Sequence, residues 1–161
     1  MPTPTLEDDR RDIIMSEVMT PDMANFAGNV HGGHLLKLLD HVAYACGSRY
    51  SGKLVVTLSV DEVFFKEPIH VGELVTFHAT VNYVGRSSME IGIRVVAENL
   101  RTQVQRHTNT CYFTMVAVND DGKPTQIKPL PIHNEVQQRR FDEALRRREF
   151  RIDLYRSRKQ K

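Results

Sequence analysis

Asp40 is the residue with the clearest potential for chemistry in this 161-residue sequence. It is the only acidic residue between His34 and Tyr50, a stretch otherwise rich in Leu, Val and Ala. An ionised carboxylate among apolar side chains costs free energy unless it is paired or faces a cleft. In a cleft it can act as a general base or as a nucleophile. The structural alternative is a carboxylate that points outward at a helix edge or pairs with His34 or His41.

The Gly32-Gly33 pair precedes this stretch. Small residues there allow a ligand to approach free backbone N–H groups and the positive end of a helix dipole, where an oxyanion can be held. A glycine pair is also typical of an ordinary turn into a helix. Asn25 lies in the preceding loop, and Asp40 lies about 12 Å further along the helix than Gly32. Reacting groups must come within about 3 Å, so Asn25 and Asp40 can act on one carbonyl only from different subunits.

The elements that position these residues follow from the hydrophobic pattern. Residues 34–50 place apolar side chains around most of a helical wheel, which predicts a buried helix. Residues 11–20 have the composition of an edge strand that ends at Pro21. Four further strands are predicted from alternating apolar and polar residues, at 53–65, 73–84, 88–99 and 104–118. The pattern predicts an α+β domain with an antiparallel sheet wrapped around a central buried helix.

Composition excludes several classes of protein. The chain is 40% hydrophobic and 26% charged, with no apolar run long enough to span a membrane and no apolar signal segment. We therefore expect one globular, cytoplasmic domain that does not associate with membranes. Cys46 and Cys111 lie in apolar stretches without metal-ligand spacing, and the seven histidines form no ligand set. Neither a metal nor another cofactor is predicted.

The last segment, residues 131–161, is predicted to be a basic helical tail to a domain formed by residues 1–130. It contains an arginine run at 146–148, which could contact nucleic-acid phosphates. Acidic residues are interleaved with the basic ones, as on a solvated helix face. Phe141, Leu145, Ile152 and Tyr155 form only a thin apolar stripe, so we expect this helix outside the core and expect no nucleic-acid partner.

Four motifs in one order carry a family resemblance over about residues 11–130. They are NFAGNVHGGHLLKLLDHVAY, VTLSVDEVFFKEPIHVGELV, GRSSMEIGIRV and HTNTCYFTMVAV. The sequence resembles single-domain bacterial relatives of the brain-type, cytosolic acyl-CoA hydrolases. The resemblance implies the hotdog fold and hydrolysis of fatty acyl-CoA to fatty acid and coenzyme A. It also implies a homo-oligomer built from hotdog dimers, in the family a trimer of dimers and so a hexamer.

The resemblance implies roles for particular residues. Asp40 of one subunit would act as general base or nucleophile, while Asn25 and the backbone at Gly32-Gly33 of the other would polarise the thioester. The segment Arg86-Ser87-Ser88 would contact the coenzyme A nucleotide. Two further candidates for coenzyme A binding are Lys66 and Arg94.

Two other functions on this fold are weighed against hydrolysis. A hotdog dehydratase would need a catalytic histidine paired with an acid, but His41 lies about 100° around the helix from Asp40. A non-catalytic acyl-CoA sensor would need no acid in the apolar helix, and the presence of Asp40 argues against it.

Overall fold

The computed structural model describes residues 9–160. The chain forms two helices, a short 3-10 turn at Pro21–Met23 and five strands within that range. In chain order the elements are β1 (Asp12–Val18), α1 (Gly32–Ser51), β2 (Leu54–Val60), β3 (Leu74–Val84), β4 (Ser88–Asn99), β5 (Val104–Val118) and α2 (Glu135–Lys159). The predicted helix and strands are confirmed, with α1 beginning two residues earlier than expected.

The strands form a single antiparallel sheet in the order β1-β3-β4-β5-β2. One face of the sheet packs against α1, and strand alternation places the buried apolar side chains on that inner face. The predicted edge position of β1 is confirmed, and β2 forms the opposite edge. The architecture is the predicted sheet around a central helix.

One face of helix α1 is buried against the sheet, while the other face is uncovered, although its apolar residues occupy most of the helical wheel. Leu35, Leu39 and Val42 are buried against the sheet. Leu36 and Tyr44 are 37% and 46% exposed, and they lie four residues on either side of Asp40. Because residues four apart share a helix face, the carboxylate lies in an uncovered apolar stripe.

Strand β2 is shorter than predicted and irregular. The interval 53–65 was expected to be one strand, but β2 ends at Val60. The last backbone hydrogen bond on this side runs from Asp61 N–H to the Tyr112 carbonyl, and the exposed Phe64 and Phe65 lie beyond the ladder. A β-bulge between Thr57 and Ser59 leaves Leu58 unpaired.

Helix α2 lies across the outer face of the sheet, as its thin apolar stripe predicts. Ala144 is fully buried, and the Phe141 ring lies 5.0 Å from that of Tyr83. Arg147 donates two hydrogen bonds, of 3.1 and 2.7 Å, to the buried carboxylate of Glu90. Although burial opposes the charged form, the hydrogen bonds and charge of Glu90 raise the pKa of Arg147. The helix is therefore anchored by an ion pair.

The two cysteines lie in the hydrophobic core. Cys46 and Cys111 are both free thiols and fully buried. Burial raises the pKa of each thiol to about 12, so both stay protonated at neutral pH. No helix within residues 9–160 is both long and apolar enough to cross a membrane.

Candidate active site

The Asp40 carboxylate is held by a threonine from the edge strand. Thr57 Oγ1 donates a 2.5 Å hydrogen bond to Asp40 Oδ1. Asp40 is half-buried and Thr57 is exposed, so the pair lies at the open side of the sheet. Neither His34 nor His41 hydrogen-bonds to Asp40 in the described part of the chain, which removes the histidine-pairing alternative. This carboxylate can still accept a proton or attack a carbon at its exposed side.

The N-terminus of α1 begins at Gly32 and is capped by His31. The imidazole Nδ1 accepts a 2.9 Å hydrogen bond from Gly33 N–H, so this donor is already engaged. Within residues 9–160 no acceptor lies in hydrogen-bond geometry with the N–H groups of Gly32 and His34. These two donors lie at the positive end of the helix dipole. They are therefore the ones suited to an oxyanion, one residue to either side of Gly33.

Asn25 stabilises the loop that leads to this helix end. Its Oδ1 accepts hydrogen bonds from the N–H groups of Ala27 and Asn29, at 2.9 and 3.1 Å. This is the local side-chain turn that asparagine favours. With Oδ1 engaged, the Nδ2 group is left as the outward hydrogen-bond donor. Asn25 can thus donate to a carbonyl or water without losing its role in the loop.

Asn25 and Gly32 line one cleft of about 370 Å³. Lys66, a predicted coenzyme A contact, also lines it. Phe65 lies over the helix end, with its ring 3.6 Å from where a Cβ on Gly32 would be. The predicted loop asparagine, helix terminus and Lys66 therefore come together in one protomer.

Asp40 does not line this cleft. It lies about 12 Å along α1 from Gly32, beside β2. Each protomer thus presents two candidate half-sites, one with N–H donors at the start of α1 and one with a carboxylate. Within one protomer the two half-sites cannot reach the same atom.

The other predicted coenzyme A contacts lie in two separate places. Arg86 is exposed in the turn between β3 and β4, and Ser87 and Ser88 are half-buried beside it. This turn is near the C-terminal part of α1, where Met89 Sδ lies close to Gly47. Arg94 is exposed on the outer face and lines a separate cleft of about 460 Å³ against α2. Eight residues of strand, about 26 Å, separate Arg94 from Arg86.

Thr57 was not among the residues predicted from the sequence. The available signal was alternation in β2, where Val55 and Thr57 share the face that turns toward α1. A hydroxyl on that face, opposite an apolar helix with a single acid, is the feature that could have identified it. Within residues 9–160 no group of three His, Cys, Asp or Glu side chains is close enough to hold a metal ion.

Comparison with known proteins identifies a matching protein family and similar individual proteins. The model of the thioesterase superfamily matches residues 27–104. Protein VdlD of Helicobacter pylori is 52% identical over 91% of this chain and 84% of its own length. The rat cytosolic acyl coenzyme A thioester hydrolase is 32% identical over 77% of this chain, which spans only 33% of that longer enzyme.

The chain is also similar to solved structures of acyl-CoA thioesterases and hydrolases. An apo-hexameric acyl-CoA thioesterase is 31% identical with a TM-score of 0.86, covering 91% of this chain and 94% of that one. An acyl-CoA hydrolase from Staphylococcus aureus, in complex with butyryl coenzyme A and coenzyme A, is 28% identical with a TM-score of 0.84, covering 92% and 91%. Alanine variants of this S. aureus enzyme at an asparagine, an aspartate and a threonine are also similar. In that enzyme the three positions are separated by 15 and 17 residues.

Proposed function

Because the chain belongs to the thioesterase superfamily, we propose that it hydrolyses fatty acyl-CoA thioesters to free fatty acid and coenzyme A. The observation that carries the proposal is the Asp40–Thr57 pair, a hydrogen-bonded carboxylate at the uncovered face of an otherwise apolar helix. The spacing of Asn25, Asp40 and Thr57, 15 and 17 residues, equals that of the three substituted positions in the S. aureus enzyme.

In the proposed reaction, the thioester carbonyl binds at the N-terminus of α1. The N–H groups of Gly32 and His34, with Asn25 Nδ2, donate to the oxygen on which negative charge develops. Gly33 supports this arrangement indirectly, because its own N–H fixes the His31 cap.

Asp40 supplies the base or the nucleophile. In the general-base route it takes a proton from water, the hydroxide adds to the thioester carbon, and the carbon–sulfur bond breaks to release the coenzyme A thiolate, which is then protonated. In the covalent route the carboxylate adds to that carbon, coenzyme A leaves, and water hydrolyses the resulting anhydride. Thr57 holds the carboxylate in position in either route.

The two half-sites meet across a dimer in this proposal. Leu54, Val56 and Leu58 of edge strand β2 are 55%, 46% and 66% exposed, and Thr57 of the same strand contacts Asp40 in the uncovered stripe of α1. A second copy related by a two-fold axis would cover both surfaces at once and bring each Asp40 toward the other protomer's Gly32. The name of the hexameric relative supports assembly of such dimers into a hexamer.

Coenzyme A is proposed to bind between protomers. Lys66 at the rim of the cleft would contact it from one subunit, and Arg86, Ser87 and Ser88 from another. The position of Arg94 on the outer face gives it the weakest support in this set. Butyryl coenzyme A and coenzyme A in the S. aureus neighbour support this ligand class.

Free-thiol release from acyl-CoA substrates of increasing chain length tests the proposal. We expect turnover with at least one saturated chain length. Tight binding without thiol release would instead support the non-catalytic sensor. Label in the Asp40 carboxylate after a single turnover in ¹⁸O-water would identify the covalent route, because label enters this carboxylate only when water attacks the aspartyl carbon of the anhydride. Mass spectrometry of the peptide containing Asp40 measures this label.

A further inference from the structure

Asn109 is an exception on the inner face of β5. The inward residues that follow it at every second position are apolar, namely Cys111, Phe113, Met115 and Ala117. Asn109 is only 7% exposed at the same face. A primary amide there costs free energy unless its donors and acceptor are satisfied.

A β-bulge determines how this amide is presented. Val95 of β4 pairs with Asn109 and Val96 pairs with His107, so Thr108 is the extra residue and both Thr108 and Asn109 are buried. The Thr108 hydroxyl lies 3.4 Å from the Val95 carbonyl and 3.2 Å from Asn109 Oδ1. The Asn109 Nδ2 group has no hydrogen-bond partner in residues 9–160. One side of the amide is thus satisfied and the donor side is not.

Asn109 and Thr108 line the same cleft as Asn25 and Gly32. If the thioester carbonyl binds at Gly32, the cleft beyond it receives the part of the substrate attached to that carbonyl. We propose that Asn109 Nδ2 binds an oxygen atom on the acyl chain, so that the preferred substrates are hydroxyacyl- or oxoacyl-CoA thioesters. This inference rests on the proposed thioester hydrolysis and specifies the substrate class of the same site.

Burial favours the acyl chain over coenzyme A as the source of that oxygen. The amide oxygens of the pantetheine arm belong to the part of the substrate that approaches from solvent, where Lys66 and Phe65 are exposed. Asn109 is buried on the inner face of the sheet. The acyl group is the end of the molecule that reaches furthest from the solvent-exposed nucleotide. A site that hydrogen-bonds a substrate oxygen discriminates against the analogue that lacks it.

Paired substrates test this proposal. We expect kcat/KM for β-hydroxybutyryl-CoA and β-hydroxyoctanoyl-CoA, or for the β-oxo compounds, to exceed that for butyryl-CoA and octanoyl-CoA by about tenfold in at least one pair. No preference in any pair overturns the proposal while leaving thioester hydrolysis intact. If no acyl-CoA is hydrolysed, calorimetry with non-hydrolysable thioether analogues of the same pairs measures the preference as affinity.

Asn109→Leu removes the amide and keeps a similar volume. We expect this variant to lose the preference for oxygenated chains, because its kcat/KM falls more for them than for saturated chains, and to melt at or above the wild-type temperature, because an unpaired donor has been removed from the core. Thr110→Val is the matched control, since Thr110 is exposed on the outer face. It should change neither the preference nor saturated-chain turnover.

Three results would contradict the assignment. An Asn109→Leu variant that melts lower with unchanged substrate preference would mean that the amide has a structural role with a bound water. An equal loss of kcat/KM for all substrates would place the pantetheine arm, not the acyl chain, at Asn109. A control variant with the same loss of preference would remove the specificity from this position.

Discussion

The Asp40 carboxylate accepts its described hydrogen bond from a neutral hydroxyl, which leaves its charge without a cationic partner in the described chain. Such a carboxylate can take up a proton or attack a carbon, whereas one neutralised by arginine would be a poorer base. The Asp40 carboxylate is therefore distinguished by the absence of a cationic side chain paired with it in residues 9–160.

Asp40→Asn should fold normally and lose at least about a hundredfold in kcat, because the amide keeps the volume and still accepts from Thr57 but cannot act as a base. Thiol release and thermal melting measure the two effects. Asp153→Asn, on the exposed part of α2, is the control and should keep full activity. A variant at Asp40 that retained most of its turnover would remove this residue from the mechanism.

Thr57→Val should lower kcat by about tenfold with little change in KM, since it removes the hydrogen bond that positions Asp40 without touching bound substrate. Thr57→Ser keeps the hydroxyl and should recover most of the rate. Thr80→Val, in β3, is the matched hydroxyl-to-methyl control. A valine variant that kept the rate while the serine variant lost it would show that the methyl packing of Thr57, not its hydroxyl, matters.

The chemistry of single residues made Asp40 predictable from the sequence, whereas the contributions of other residues of the candidate site were not. Asp40 could be identified because an acid in an apolar helix conflicts with the free energy of burial. The importance of Thr57 and Asn109 depends on strand alternation and on bulges, which are set by pairing with distant strands. The hydrogen bond from Gly33 N–H to the His31 side chain could not be predicted from the sequence either, because a side-chain cap depends on local rotamers.

Helix α2 shows how an exposed element can still contribute to stability. Its Arg147 is paired with Glu90, which is 2% exposed, and the guanidinium stacks 3.6 Å from the centre of the Tyr112 ring. Arg151 adds an ion pair with Asp61 just after β2. The interleaved acidic and basic residues of the C-terminal segment indicated a solvated helix, but only the tertiary structure identifies which arginines form ion pairs with the sheet.

Arg147→Met should lower the free energy of unfolding by about 3 kcal/mol, because the buried Glu90 carboxylate loses its counter-charge. Urea denaturation measures the change. The double variant Glu90→Gln with Arg147→Met should regain part of this loss, as it no longer buries an unpaired charge. Arg146→Met, on the exposed side of the same helix, should change stability by less than about 0.5 kcal/mol. An Arg147 variant as mild as this control would contradict the anchoring role.

The observed strand boundaries match the predicted ones where the local sequence pattern agrees with the pairing of the strands in the sheet. Strands β3, β4 and β5 occupy almost the predicted intervals because their alternation is sustained and turn residues separate them. The predicted end of β2 is wrong, since Val63, Phe64 and Phe65 have strand-like composition but lie beyond the hydrogen-bond ladder between β2 and β5. Composition alone does not distinguish an apolar strand from an apolar loop.

At the scale of the whole molecule, two neighbouring surfaces expose apolar side chains, namely edge strand β2 and the stripe of α1 that contains Asp40. A single protomer therefore leaves Asp40 beside uncovered apolar residues, and the proposed dimer covers them. The distance between Asn25 and Asp40 along the sequence predicts the same two-subunit site, which stays a prediction.

Complementation tests the shared site. Asn25→Ala and Asp40→Asn should each be inactive alone and regain activity when co-expressed, because one of the two sites in a mixed dimer is then fully wild type. Random pairing makes about half the dimers mixed, so about a quarter of all sites should work. Two affinity tags isolate the mixed oligomers for thiol release. Isolated mixed oligomers with no activity would exclude a site formed by Asn25 of one subunit and Asp40 of the other.

The bulge at Leu58 also has a consequence for how far sheets can add to one another. A straight, apolar edge strand is a template for open-ended aggregation, and bulges are one way in which proteins prevent this. Since Thr57 pairs with Met115 and Ser59 with the adjacent Thr114, deleting Leu58 would make the ladder regular without moving Thr57 relative to β5. We expect the deletion variant to keep the Asp40–Thr57 contact but to precipitate more readily, as light scattering at increasing concentration would reveal. The extra residue would then prevent further strands from adding to this edge, which favours closed assemblies over fibres.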